Sequence, residues 1–240
     1  MKNKKSKPTI LNINTTSFSE EHKEAYERAI KYIFERRLKG IERLLSFYQK
    51  EKTFETEIII LCCCFIDALG KYVYKTDENR YRFTKILYDY GKLENNIDFN
   101  KVSLFELEKN LLDEKGRMGP LYLKYIAEEI KKNNNGISSD PLIEKLLGKL
   151  LSLNRIDEKK LRKFVENATY ASILYNRYRN ATVHELITLH HYSVSWRKDV
   201  FYMNVAEDYI KMVGGRAFLV FPVEFLVELI KHLFKKKFPN

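Results

Sequence analysis

Apolar side chains recur at helical spacing along most of the chain, and this pattern predicts a mostly α-helical protein. Ser17 and Glu20 form a capping box ahead of a long first helix. Residues 57–74 are apolar on almost every side, which predicts the most buried helix of the fold. A shorter third helix ends at Gly91, a residue type common at helix C-termini. These elements predict the core of a helical bundle.

Residues 92–156 predict an insertion of short helices. Ser103 and Glu106 form a second capping box, and Pro120 and Pro141 each stand at the start of a further apolar stretch. The polar residues 133–139 predict a flexible joint between two of these helices.

The segment 157–187 contains no Gly or Pro and predicts one uninterrupted helix with Asp157 as its cap. Residues 192–222 alternate loosely around Gly214 and Gly215, which predicts a small β-ribbon before a last amphipathic helix. The basic residues 1–16 predict a disordered leader. We expect residues 17–240 to form a single domain.

Composition adds constraints to this picture. Nine Gly and five Pro in 240 residues argue against a many-stranded sandwich or barrel. A formal net charge of +11 favours polyanionic partners, most obviously nucleic acid. The three consecutive cysteines, 62–64, fit neither a spaced disulfide framework nor a shared metal, and they favour a reducing compartment. Without a signal peptide or a spanning segment, we expect a soluble, cytoplasmic protein that does not bind membranes.

Arg179 interrupts the apolar stripe of the 157–187 segment. The other members of this stripe are Leu161, Val165, Ala168, Ser172, Tyr175, Thr182 and Leu186. Periodicity predicts an apolar side chain at position 179, and a buried guanidinium is costly unless an anionic group meets it. Asn180 follows directly, and His184 lies on the same helix face as Asn180, one turn later. On an ideal helix Arg179 and His184 differ by about 140°, so they converge only if the arginine wraps or a second subunit contributes.

The string from Tyr178 to Glu185, YRNATVHE, resembles the signature of HEPN domains, in which an arginine, a polar residue and a histidine follow one another late in a long helix. A second stretch, residues 65–70 followed by Arg82 and Phe83, is similar to the buried helix and its successor in a prokaryotic HEPN subgroup. The resemblance covers roughly residues 20–91 and 157–235. It does not cover the inserted helices.

This resemblance implies a HEPN-like helical bundle that dimerises so that two such motifs form one RNA-cleaving site without metal or cofactor. It assigns Arg179, Asn180 and His184 to catalysis, and it implies a defence or toxin setting with a possible antitoxin or regulatory partner. Simple chemistry is compatible with this role. Histidine can exchange a proton with a ribose 2′-hydroxyl or a leaving oxygen, and arginine binds phosphate bidentately.

Several alternatives remain open at this stage. Arg177 shares a face with Asn180 and His184, so it could replace Arg179 or simply contact phosphate. A buried Asp67 could position Arg179 or His184, or could bond a nearby hydroxyl or indole. Glu185 is either a supporting residue or part of a solvated flank. For the whole chain, the rival interpretation is a non-catalytic HEPN module that binds RNA or a partner protein.

Overall fold

The computed structural model describes most of the chain in seven segments. They are residues 19–94, 97–113, 120–132, 137–153, 157–180, 198–204 and 217–239. The predicted basic leader, Ser17 of the first capping box and part of the 133–139 joint lie outside these residues.

The described residues are mostly helical, with a small antiparallel ribbon before the last helix, as the sequence predicts. The helices are α1 Glu20–Glu51, α2 Glu55–Tyr74, α3 Asn79–Tyr90, α4 Leu104–Asp113, α5 Pro120–Lys132, α6 Ile143–Leu153, α7 Glu158–Asn167, α8 Tyr170–Ile173, a π-helix Leu174–Asn180 and α9 Val223–Lys237. The strands are β1 Phe201–Asn204 and β2 Ala217–Val220, with Phe201 opposite Val220. None of the described helices combines the length and apolar character needed to cross a membrane.

The first hydrophobic core lies around α2, which packs against α1, α3, the π-helix and α9. Ile58, Ile66 and Leu69 of α2 are fully buried. The prediction that α2 is the most buried helix is nevertheless wrong, because 8 of its 20 residues are buried against 8 of the 15 in α9. The burial is not complete all round, because Leu61 and Cys64 are exposed one turn apart. This exposed strip runs beside Asp67 on the same helix.

A second hydrophobic core joins α4, α5, α6 and α7. Leu107, Ile126, Leu147 and Val165 are buried there, one from each helix. The predicted inserted helices therefore surround apolar side chains of their own. Helix α7 contributes its apolar side to this second core and not to the first.

The segment 157–187 is not one uninterrupted helix, so that prediction is wrong. The helix breaks at Ala168 and Thr169, where Thr169 adopts an extended backbone and caps α8 by accepting a hydrogen bond from the Ser172 amide. The residues at the break bond to the chain around Lys101, since Tyr170 N donates to Lys101 O and Ser103 N donates to Ala168 O. These long-range backbone bonds replace the intrahelical bonds that the break removes.

The helix starts follow the predicted chemistry only in part. Ser103 accepts from the Glu106 amide at 3.2 Å, and Asp157 accepts from the Lys159 amide, so both residues cap their helices as predicted. The predicted capping box at Ser103 is incomplete, because the Ser103 amide donates to the Ala168 carbonyl and the Glu106 side chain pairs with Arg177. The first helix, however, begins at Glu20 with Ser19 as its N-cap, so the predicted cap at Ser17 is wrong. Serine suits either position because its hydroxyl accepts from an orphan amide.

Candidate functional site

Arg179 lies on the π-helix, and only 9% of its surface is exposed. The residues that precede it on the predicted stripe, Ser172 and Tyr175, are also buried. The prediction that the stripe carries a buried guanidinium at this point is therefore confirmed. Helical turns of the π type are rare and are often found at functional sites.

Asp67 and Arg82 form the most closely paired charges around Arg179. Arg82 donates from Nε to Asp67 Oδ1 at 2.6 Å and from Nη2 to Oδ2 at 3.0 Å, which is a bidentate pair. Arg82 Nη1 also donates to the Thr76 carbonyl at 3.3 Å. The hydrogen bonds to Asp67 raise the pKa of Arg82 against the opposing effect of its burial. The pair fixes the Asp67 carboxylate between α2 and α3.

Gly70 allows α2 and α3 to approach closely enough for this pair. A Cβ atom at position 70 would lie 2.6 Å from the Arg82 carbonyl oxygen, closer than such atoms pack. The missing side chain therefore allows the Arg82 backbone to lie against α2, one turn after Asp67.

Arg179 completes the cluster from the π-helix. Its Nη2 lies 3.5 Å from Asp67 Oδ2, and its Nη1 donates to Asn180 Oδ1 at 3.1 Å. The guanidinium carbon lies 5.4 Å from the centre of the Tyr175 ring, in cation–π distance. Neighbours on three sides thus restrict the guanidinium to one orientation. Pre-organisation of this kind is what recognition of an oxyanion requires.

Asp67 is only partly buried, with 17% of its side chain exposed. Its donors in this cluster are guanidinium groups, so neither a hydroxyl nor an indole is needed. The contact between Asp67 and Arg179 favours the interpretation that Asp67 positions Arg179. The structure thus brings Asp67, Arg179 and Asn180 together. His184 and Glu185 lie outside the described residues.

Arg177 faces a different neighbourhood. Its Nη2 forms a very short contact with Glu106 on α4, and its guanidinium carbon lies 4.9 Å from the centre of the Phe218 ring on β2. Both members of this ion pair are largely buried, at 20% and 16% side-chain exposure. Arg177 therefore joins the π-helix to the second core and to the ribbon, and it takes no part in the Asp67 cluster.

The pKa values of neighbouring thiol and phenol groups on α2 and the π-helix are raised. Burial raises the pKa of the Cys63 thiol, partial desolvation raises that of the exposed Cys64, and the Arg179 charge opposes both effects. Burial likewise raises the pKa of Tyr178, whose hydroxyl oxygen accepts from the Phe221 amide at 2.8 Å. Thiols in this state are poor nucleophiles, because the thiolate is the reactive form.

The sequence does not predict the ion pairs that Arg82 and Glu106 form in these clusters. Arg82 lies on the buried side of α3 next to Phe83, so it shows the same signal as Arg179, a guanidinium on an apolar stripe. Glu106 was assigned only to a capping box, and its pairing with Arg177 joins positions 71 residues apart. Within the described residues, no group of three or more His, Cys, Asp or Glu side chains is arranged to hold a metal ion.

Comparisons of the chain with protein-family models, with curated proteins and with solved structures found no match.

Proposed function

We propose that this protein is a metal-independent endoribonuclease of the HEPN type, in which Arg179, Asn180 and His184 act on the phosphodiester of RNA. The observation that carries the proposal is the buried Arg179 guanidinium, which Asp67, Tyr175 and Asn180 hold in place five residues before His184. A costly buried cation of this kind is typical of a site that recognises an anion.

The proposed reaction is a transesterification within the RNA. His184 takes the proton from the ribose 2′-hydroxyl, the 2′-oxygen attacks the adjacent phosphorus, and the bond from phosphorus to the 5′-oxygen breaks. A histidine then returns a proton to the leaving 5′-oxygen. The products are a 2′,3′-cyclic phosphate and a free 5′-hydroxyl. Arg179 stabilises the charge that develops on the phosphoryl oxygens, and Asn180 orients Arg179 by accepting its hydrogen bond.

The proposal includes a homodimer, because the reaction needs a base and an acid at the same time. While one His184 takes the proton of the 2′-hydroxyl, the His184 of a second copy would protonate the leaving 5′-oxygen. Leu61 and Cys64 are exposed beside Asp67, so a second copy that packed at this edge would cover an apolar side chain next to the Arg179 cluster. Sedimentation at micromolar concentration tests the dimer.

The test of the activity is cleavage of varied RNAs in EDTA by the wild type, by His184→Ala and by Arg179→Ala. Arg28→Ala is a matched control, because Arg28 forms an exposed pair with Glu24 on α1. Circular dichroism monitors folding. We expect cleavage by the wild type and the control, and none by the two site variants. A substrate with a single 2′-deoxy nucleotide should resist cleavage at that nucleotide. If the wild type leaves every RNA intact, the enzyme proposal fails.

The second candidate is a non-catalytic HEPN module that binds RNA or a protein. One observation favours it: the contact of Arg179 with Asp67 joins the π-helix to α2, which is a sufficient structural role. The module predicts RNA retention in gel-shift experiments without products, and Arg179→Ala should then lower stability more than binding.

A further inference from the structure

A basic cleft lies where the end of α9 passes the turn after α3. We define it by Lys92, Glu94, His232, Lys235 and Lys236, which line a space of about 620 Å³ together with Leu93 and Pro239. Ligand pockets commonly enclose about 300–1,000 Å³, so the space suits a small molecule. The lining residues do not include any residue of the Arg179 cluster.

The backbone builds this cleft from the end of α3. Gly91 caps α3, and a Cβ atom there would lie 2.4 Å from the Leu87 carbonyl oxygen and 2.8 Å from the Phe99 ring. The tight turn brings Lys92 alongside α9, and Leu93 N donates a hydrogen bond to Ile97 O at 2.8 Å. The two walls of the cleft are therefore set by well-packed elements.

Charge decides which ligands the cleft favours. Three lysines face one carboxylate, that of Glu94, so the lining side chains carry an excess of two positive charges even when His232 is neutral. The C-terminal end of α9 opposes this with the equivalent of about half a negative charge. The lysines outweigh it, and the cleft attracts anions.

His232 provides a directional group inside the cleft. Its Nε2 is shielded from solvent and has no hydrogen-bond partner within the described segments, while the ring bonds to the Tyr90 backbone. Buried polar atoms usually have a partner, so a group that reached this nitrogen from the cleft would complete its hydrogen bonding. Burial, and then the charge of Lys236, lowers the pKa of His232, and a bound anion would oppose both effects by stabilising the imidazolium.

We propose that this cleft binds a phosphate group, with His232 Nε2–H and the ammonium groups of Lys92, Lys235 and Lys236 as its donors. The phosphate belongs either to an inorganic ion or to a mononucleotide, since both present the same terminal oxygens. Binding is independent of RNA cleavage, because the cleft and the Arg179 cluster share no residue.

The experiment measures binding of pyrophosphate and of adenosine 5′-monophosphate to the full chain by calorimetry. We expect the triple variant Lys92→Gln, Lys235→Gln, Lys236→Gln to lose at least about tenfold in affinity, as the removal of charge-assisted hydrogen bonds implies. A control with the same net charge, Lys39→Gln, Lys50→Gln, Lys160→Gln, changes only exposed lysines and should keep wild-type affinity. Tighter binding of the nucleotide than of pyrophosphate identifies the nucleotide as the source, and the converse identifies the inorganic ion.

A second readout is the NMR titration of the His232 ring, assigned through His232→Asn. The ligand should raise the His232 pKa in the wild type and leave the other histidines unchanged. The proposal is overturned if neither probe binds at millimolar concentration, if the two triple variants lose affinity equally, or if the His232 signals do not respond to a bound ligand.

Discussion

Arg177 and Arg179 are two residues apart, yet they pair with carboxylates on different helices. Arg177 contacts Glu106 on α4, whereas Arg179 contacts Asp67 on α2. Residues two positions apart point to nearly opposite sides of a helix, so one short segment can connect to two cores. Two ion pairs therefore connect the π-helix to α4 on one side and to α2 on the other.

This separation predicts different consequences for the two arginines. We expect Arg179→Met to lower RNA cleavage by at least about a hundredfold, as the loss of one transition-state donor does. Arg177→Met should keep cleavage within about threefold of wild type and lower the free energy of unfolding by roughly 2 kcal/mol, because it leaves Glu106 without its partner. Initial cleavage rates and urea unfolding check the two values. Equal loss of cleavage in both variants would contradict the assignment.

The Asp67 carboxylate holds two guanidinium groups, and its removal should be costly. We expect Asp67→Ala to lower the free energy of unfolding by roughly 3 kcal/mol, because Arg82 loses both of its hydrogen bonds to the carboxylate. Asp77→Asn is the control, since Asp77 pairs with Lys71 in full contact with water and should leave the unfolding midpoint unchanged. Urea denaturation of both variants measures the difference. A similar midpoint for both would contradict the structural importance of the pair.

The close approach at Gly70 can be tested with a matched glycine. Gly70→Ala places a methyl group against the Arg82 carbonyl, so we expect a loss of about 1–3 kcal/mol in the free energy of unfolding. Gly40→Ala adds a methyl group inside α1 with nothing within 4 Å, so it should stabilise the protein by about 0.5–1 kcal/mol. Thermal unfolding of the two variants should therefore shift in opposite directions.

The Asp140 carboxyl should make the protein less stable as the pH rises. Burial raises its pKa from 3.8 to about 6, although Tyr170 and Tyr202 donate to its Oδ2 and Lys101 and the Leu104 amide also favour its charged form. Between those two pH values the unfolded chain releases a proton that the folded protein keeps, so stability contributed by this group falls as pH rises. Two pKa units correspond to about 3 kcal/mol.

The variant Asp140→Asn removes this titration. As the pH rises from 4 to 6.5, the free energy of unfolding of the variant should therefore increase relative to that of the wild type. Tyr202→Phe removes one donor to the carboxylate and should shift the window to higher pH. Urea unfolding across this range provides the values. A difference that is constant with pH would show that Asp140 does not titrate in this window.

Local chemistry accounts for what the sequence could predict. The apolar character of residues 57–74 identified α2 as a helix of the core, and the spacing of the 161–179 stripe placed Arg179 among buried residues. Caps such as Ser103 were predictable because a cap depends on residues within one turn. The resemblance to HEPN domains remains a prediction, as does the role of His184.

The features that the sequence did not reveal depend on distant partners. Ala168 lies on the apolar stripe of a continuous helix, but the backbone at the next residue, Thr169, is diverted toward Val102, 67 positions earlier. The pairing of Arg177 with Glu106 likewise arises only when α4 packs beside the π-helix. Contacts of this kind are invisible to a window of one or two helical turns.

The bridge between Val102 and Thr169 allows the design of a shortened protein. The chain enters the α4–α7 unit just after Val102 and leaves it at Thr169, and these two residues are bridged. Insertions whose two ends lie side by side can be excised and the flanking chain rejoined with a short linker. A protein shortened between Val102 and Thr169 would keep the Asp67 cluster and lose Glu106. It would thus separate the catalytic proposal from whatever the added helices contribute.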